Sequence, residues 1–382
     1  MENAAPSRVR TALVSPLNWG LGHAARCAPI VRELRKRGWR VVCCGGEAPL
    51  ALLRAEFPDV ETELVPEPAI RYPKAGWAMI PAMLVQLPKI LLATLALRRR
   101  TAELCAKHGA VLTISDNRPG FRAPGVKSVY MTHQLRIRAP KGLGFGEALV
   151  ARLHALAYAP FDEVWIPDLE GELSLAGELS LPPRRAPRVK FRRVGLLSRF
   201  SGAPSPEASS PAPAADGPVG VLLLLSGPEP QRTLFESKAL AQLRALGLRA
   251  TVVRGLPASA PPLDPGSDAI RALPFADARE LEALLRACDV AVCRSGYSTL
   301  MDLVRIGTKA LLVPTPGQTE QEYLAARLAD AGLAAVSAQD DLDLAAQLPR
   351  ARHLPGLRSD ERIDASRAAL EAAVLSLEET HA

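Results

Sequence analysis

Val290-Ala291-Val292-Cys293-Arg294-Ser295-Gly296, then Ser298, Thr299, Asp302 and Gly307, then Pro314-Thr315-Pro316-Gly317-Gln318-Thr319-Glu320-Gln321-Glu322-Tyr323, is the stretch that decides the fold. Its apolar start reads as a buried strand, its glycine as a tight turn, and the run to Gly307 as a short helix. A second buried strand follows at 309–313, and a proline-broken loop opens another helix. Such a strand–helix–strand–helix run implies a parallel sheet. It brings small and polar groups from two strand ends to one sheet edge, where open α/β sheets bind ligands.

The same rhythm extends upstream of this stretch. Strands are expected at 219–225 and 249–253, with helices at 231–246, 278–287, 297–306 and 320–331. In the first half, strands are expected at 10–15, 39–44, 110–115, 128–132 and 163–167, and helices at 23–37, 94–107 and 146–158. Between the halves, residues 201–218 (SGAPSPEASSPAPAADGP) are rich in Pro, Ala and Ser without periodicity, a linker composition. The expected organisation is therefore a domain over 1–200, a linker over 201–218, a second domain over 219–350 and a helical tail over 351–382. Each domain is α/β, Rossmann-like and doubly wound, and the two face each other across a cleft. A chain of 382 residues is long enough for two such domains.

Charge is shared unevenly. Residues 1–200 hold 30 Lys and Arg against 17 Asp and Glu, whereas residues 201–382 hold 17 against 23. A basic first half suits an anionic partner such as a pyrophosphate or a membrane surface. Nucleic acid is not expected, because no basic and aromatic interleaving of the nucleic-acid modules is present. The six cysteines (Cys27, Cys43, Cys44, Cys105, Cys288 and Cys293) form no CxxC pair and read as buried small hydrophobes in a reducing compartment. Met1–Arg10 is polar and the apolar run after it is short, so no cleavable leader is expected and the location is cytoplasmic. Residues 76–97 approach a membrane-spanning length, but Pro81, Gln86, Pro88 and Lys89 interrupt them. Broken helices with an exposed apolar side, ending at Arg98-Arg99-Arg100, are the expectation there.

Several strand ends carry chemistry. Asn18-Trp19-Gly20-Leu21-Gly22-His23 joins the first strand to the first helix. Its glycines permit a tight turn, and the helix start offers free N–H groups to an anion. It departs from the dinucleotide fingerprint, since Ala25 stands where a third glycine would fall. Asp116 and His133 follow two further strands, so His23, Asp116 and His133 lie on one rim, a candidate set for general-base work. In the second half, Ser226-Gly227-Pro228-Glu229 follows the first strand and Pro274-Phe275-Ala276 precedes a helix. Pro228 and Pro230 remove two backbone donors, leaving Arg232 and the N–H groups of Ser226, Gly227 and Thr233 as the donors around that turn. No DxD motif or His/Cys/Asp cluster stands out, and no metal is expected.

The block from Arg294 to Tyr323 resembles the nucleotide-sugar site of the GT-B glycosyltransferases. More narrowly it is similar to the family 28 group, which includes the UDP-N-acetylglucosamine transferase of the peptidoglycan lipid precursor. The resemblance covers about 219–336 well; in the first half it rests on the loop ending at His23 and on strand order. It implies that Phe275 lies against the uracil ring while the Ala276 backbone reads its edge. It further implies that Ser226, Gly227, Arg294, Ser295, Gly296 and Gln318 line the donor site. Asp302, where the family usually has Glu, would take the ribose diol. Gln321 and Glu322 fall where the family has paired glutamines on the donor sugar, and the Glu changes the hydrogen bonding, so the sugar need not be N-acetylglucosamine. The segment before Arg98-Arg99-Arg100 has a counterpart that docks on the membrane.

These readings converge on a metal-independent, inverting glycosyltransferase using a UDP-sugar as co-substrate and no other cofactor. The expected acceptor is a glycan or lipid-linked glycan hydroxyl, reached peripherally at the inner face of an anionic membrane. Two alternatives remain open at this point: a UDP-sugar 2-epimerase of the same fold, and a non-catalytic nucleotide-sugar-binding protein.

Overall fold

A computed structural model describes residues 9–18, 21–66, 79–138, 147–183, 187–200, 219–256 and 259–379. Trp19-Gly20, the 201–218 linker and the start of the 76–97 segment lie outside the described residues.

Seven strands, β1 (Thr11–Ser15), β2 (Arg40–Gly45), β3 (Glu61–Leu64), β4 (Ala110–Asp116), β5 (Lys127–Met131), β6 (Glu163–Ile166) and β7 (Lys190–Arg193), form one sheet. Its order is β3-β2-β1-β4-β5-β6-β7, and the pairings are parallel throughout. Six more, β8 (Val219–Leu224), β9 (Ala250–Val253), β10 (Ile270–Leu273), β11 (Cys288–Cys293), β12 (Ala310–Leu312) and β13 (Ala335–Val336), form a second parallel sheet in the order β10-β9-β8-β11-β12-β13. The central strands are apolar without alternation because helices cover both faces. Every residue of β1 (TALVS), for example, is buried. Each sheet reverses its winding beside its first strand, between β1 and β4 in one and between β8 and β11 in the other. Such switch points open a crevice at the carboxyl ends of the strands.

The helices are α1 (Leu21–Lys36), α2 (Glu47–Glu56), α3 (Met79–His108), α4 (Glu147–Tyr158), α5 (Gln231–Ala245), α6 (Ala278–Ala287), α7 (Tyr297–Ile306), α8 (Thr319–Asp330), α9 (Leu344–His353) and α10 (Asp360–Glu379). Gly307 ends α7 in the left-handed region at φ 92°, the C-terminal stop that glycine adopts without strain. The last helix, α10, returns to pack on α1, α7 and β7. Ser366 Oγ accepts from Leu196 N there at 2.8 Å.

Two local expectations change. Within the 76–97 segment the described residues, 79–97, do not form broken helices: α3 runs without interruption from Met79 to His108. Pro81 stands in its first turn, where a missing N–H costs nothing, and Pro88 removes one rung from a long ladder without ending it. No described helix is long and apolar enough to cross a membrane. The edge strands β3 (ETEL) and β7 (KFRR) escape a search for apolar runs because they are charged, as solvent-facing sheet edges usually are.

Candidate active site

Sequence position explains how the first cluster assembles. Asp116 is the last residue of β4, His133 follows β5 by two residues, and His23 and Arg26 share a face of α1 at i and i+3. Asp116 is fully buried. Arg26 holds it with two bonds, Nε to Oδ2 at 2.8 Å and Nη2 to Oδ1. His23 Nδ1 lies 2.9 Å from Asp116 Oδ2 and 2.8 Å from Arg26 Nη2. Arg26 Nη1 lies 3.0 Å from His133 Nδ1, and His133 Nε2 lies 2.7 Å from Glu320 Oε1 on α8 of the second domain. His133 also stacks on Tyr297, centroids 4.2 Å apart, and the Tyr297 hydroxyl donates to Pro167 O at 2.8 Å. All three rim residues expected from the strand ends are thus brought together. Arg26 and Glu320 join them without having been singled out.

Electrostatics follow from this packing. Burial pushes the Asp116 carboxyl up, but Arg26 and then His23 overcome it and hold the group down at about 2. Burial lowers the His23 imidazole below its ordinary value, against the pull of Asp116 and with the help of Arg26. Burial likewise raises the Glu320 carboxyl, and His133 with Arg26 outweighs it, so the net shift is downward. The six cysteines are free, and burial pushes the Cys43 and Cys293 thiols up to about 12, which leaves them inert.

The two domains touch along this rim. Ser298 Oγ, in the first turn of α7, donates to Gly22 O at 2.9 Å in the first turn of α1. Two helix N-termini, each with a partial positive charge, therefore lie side by side at the cleft. Thr319 Oγ1 donates to Arg138 O at 2.9 Å, and Tyr323 OH accepts from Glu178 N at 3.0 Å.

The second switch point is built differently. Ser226 and Gly227 are exposed after β8, and Gly227 takes φ 98°. Phe275 is half-buried and Ala276 buried beyond β10. Gly296 caps α7 without a side-chain bond, so no cap side chain takes the first N–H groups of that helix. Gln321 Oε1 accepts from Thr315 N at 2.9 Å, its Nε2 donates to Gln318 Oε1 at 2.5 Å, and exposed Glu322 accepts from Gly317 N at 3.0 Å. Ser295 Oγ donates to Gln321 O at 2.8 Å, fastening the loop to the end of β11. These bonds shape 314–322 from within.

Three of the candidate side chains are hydrogen-bonded within the protein. Asp302 is buried, and its carboxylate accepts from Ser198 Oγ at 2.8 Å and from Arg199 N and Nε at 3.2 and 2.9 Å. It fastens the end of the first domain to α7, so a ribose diol would have to displace Arg199. Arg294 is buried, donating to Val313 O at 3.0 Å, Pro314 O at 3.2 Å, Gln231 O at 2.9 Å and Gln339 Oε1 at 2.5 Å. It pins strand ends together. Arg232, the alternative phosphate ligand, is paired with Glu229 at 2.7 Å and Glu236 at 3.0 Å.

A family model, the glycosyltransferase family 28 C-terminal domain, matches residues 260–373. The UDP-N-acetylglucosamine–N-acetylmuramyl-(pentapeptide) pyrophosphoryl-undecaprenol N-acetylglucosamine transferase of Methylobacterium nodulans is 30% identical over 337 residues, covering 84% of this chain and 82% of that protein. Among solved structures, the glycotransferase of kitacinnamycin superposes with a TM-score of 0.64 at 15% identity, over 98% of this chain and 99% of its own. The spinosyn rhamnosyltransferase SpnG gives 0.60 at 18% identity, over 96% and 100%. These likenesses identify the two facing sheets as the GT-B fold.

Proposed function

This chain belongs to glycosyltransferase family 28, and from that premise we propose that it moves a sugar from a UDP-sugar to an acceptor hydroxyl with His23 as the base. The observation that carries this reading is the His23–Asp116 pair at the cleft. Asp116 Oδ2, 2.9 Å from His23 Nδ1, can only accept, whereas Arg26 Nη2, 2.8 Å from the same nitrogen, can only donate. This reading takes the tautomer that the buried carboxylate favours, with the proton on Nδ1 donated to Asp116 and the lone pair on Nε2. Among the described residues nothing bonds that nitrogen. An imidazole oriented by a buried carboxylate, with its second nitrogen open, suits abstraction of a hydroxyl proton and stabilises the imidazolium that forms.

The remaining parts divide between the domains. The acceptor loses its proton on the first domain's side and attacks the anomeric carbon. The diphosphate departs toward the second domain, so the configuration inverts. Leaving-group charge falls on the adjoining N-termini of α1 and α7 and on the Ser226-Gly227 loop, without a divalent cation. Phe275 and Ala276 hold the uracil, while Ser295 and Gly296 shape the diphosphate pocket and Gln318, Gln321 and Glu322 frame the sugar. The relative's acceptor is a pyrophosphoryl-undecaprenol glycan, and a lipid-linked glycan suits this chain too. Leu91, Leu92 and Leu95 of α3 are 56%, 68% and 57% exposed, just before exposed Arg98, Arg99 and Arg100. An apolar face beside cations fits an anionic membrane surface on the cytoplasmic side.

The test is a panel of UDP-sugars offered with lipid-linked and free glycan acceptors in excess EDTA. A glycosylated product and released UDP are expected. Epimerised UDP-sugar, or binding of UDP with no turnover, would replace the reading, and a loss restored by Mg²⁺ would remove its metal-free part.

A further inference from the structure

The protons along the rim can be assigned one by one. Arg26 only donates and, among the described residues, no acceptor is bonded to His133 Nδ1, 3.0 Å from Arg26 Nη1, so that nitrogen is the acceptor and carries no proton, unlike His23 Nδ1, which also faces Asp116 Oδ2. The proton of a neutral His133 ring must then be on Nε2, and it points at Glu320 Oε1, 2.7 Å away. From there the chain is directional. His133 accepts from Arg26, Arg26 grips both oxygens of Asp116, and Asp116 accepts from His23. Glu320 belongs to α8, the helix that opens from the 314–318 loop, and every other member belongs to the first domain. The charged and titratable groups facing His133 are Arg26 and His23 from α1, Asp116 from β4, Glu320 from α8 and the stacked Tyr297 from α7. Both ring nitrogens of His133 are thus engaged, which removes it as a base in this arrangement.

We propose that Glu320 is a positioning residue through which the second domain, on closing over the donor, sets the tautomer of His133 and thereby locks Arg26 and Asp116 behind His23. With Glu320 withdrawn, the Nε2 proton of His133 loses its acceptor. The ring is then free to move its proton to Nδ1, where it confronts an Arg26 hydrogen. Arg26 must shift, and its grip on Asp116 loosens. The base is therefore ordered only when the donor-bearing loop is in place, and solvent proton transfer to an unprepared site is avoided. This inference rests on the proposed UDP-sugar transfer with His23 as base.

Two measurements on the full chain test it. The first is imidazole nitrogen-15 NMR of histidine-labelled protein, alone and with UDP. His133 is expected in the Nε2–H form in the wild type and as a tautomer mixture in Glu320→Ala. A wild-type His133 protonated on Nδ1 would overturn the proposal, whatever the enzyme's activity. The second is UDP release from UDP-N-acetylglucosamine and UDP-glucose. Glu320→Ala is expected to lower kcat about 10- to 100-fold with donor KM within about threefold, and Glu320→Gln, whose amide oxygen still accepts from His133, to restore most of it. Wild-type kcat in Glu320→Ala, or a loss appearing mainly in donor KM, would remove the positioning role. A wild type that releases no UDP would instead sink the transfer reading, leaving the NMR result to decide the relay.

Discussion

Arg26 and Arg294 are both buried at a switch point, yet their surroundings differ in kind. Arg26 sits between carboxylates and imidazoles, and although burial lowers its pKa, Asp116 outweighs that and raises it. Arg294 is surrounded by carbonyl oxygens and the Phe235 ring at 4.4 Å, and burial lowers it to about 10. The same strand order therefore supports two kinds of edge. One holds ions in fixed orientation, as proton chemistry needs. The other arranges backbone groups and small side chains around a loop, as ligand binding needs.

The largest expected effect separates these two arginines. Arg26→Met leaves Asp116 buried without its main partner and should cost about 3–5 kcal/mol of stability by denaturant unfolding. Arg294→Met strands no opposite charge and should cost about 1–3 kcal/mol, the penalty of unpaired carbonyls. Their pH dependence should differ as well. Asp116, depressed to about 2, contributes stability that is full above the unfolded value near 3.9 and is lost as pH falls through about 2. Arg26→Met raises the folded pKa of Asp116, so its acid unfolding should begin at higher pH than that of Arg294→Met. Equal losses for the two variants would erase the distinction.

Asp302→Ala comes next, because it frees Ser198 and Arg199 from α7. A loss of about 1–3 kcal/mol is expected, with UDP and its 2′-deoxy analogue raising the melting temperature of the wild type alike. A larger rise with UDP would show that the diol displaces Arg199 and return Asp302 to the donor site.

A smaller effect should appear in the pH–rate profile. Burial holds His23 below its ordinary value, so the acid limb of kcat/KM should fall below about 6.5. Asp116→Asn removes the anion that favours imidazolium, so the limb should move lower still while kcat declines. A limb at or above the ordinary histidine value would assign the base elsewhere.

Much of this was legible in the residues. Apolar runs located the central strands because those are buried on both faces, and the strand ends placed His23, Asp116 and His133 on one rim. Arg26 was hidden by its helix, although a charged residue amid Ala24-Ala25 and Cys27-Ala28 on an apolar face was the available signal. Glu320 could not be read, since its role depends on the other domain's approach. The internal partners of Asp302 and Arg294 could not be read either, since a motif position does not reveal which neighbours a side chain will meet. The continuous α3 shows the same limit, because one proline weakens a helix without fixing where it ends.

The division of labour between the two edges is tested most directly by His23→Ala, with UDP affinity and turnover measured on the same preparation. The account predicts a kcat lowered about 10²–10⁴-fold with UDP affinity nearly unchanged. Turnover close to wild type, or UDP affinity lost along with turnover, would contradict it.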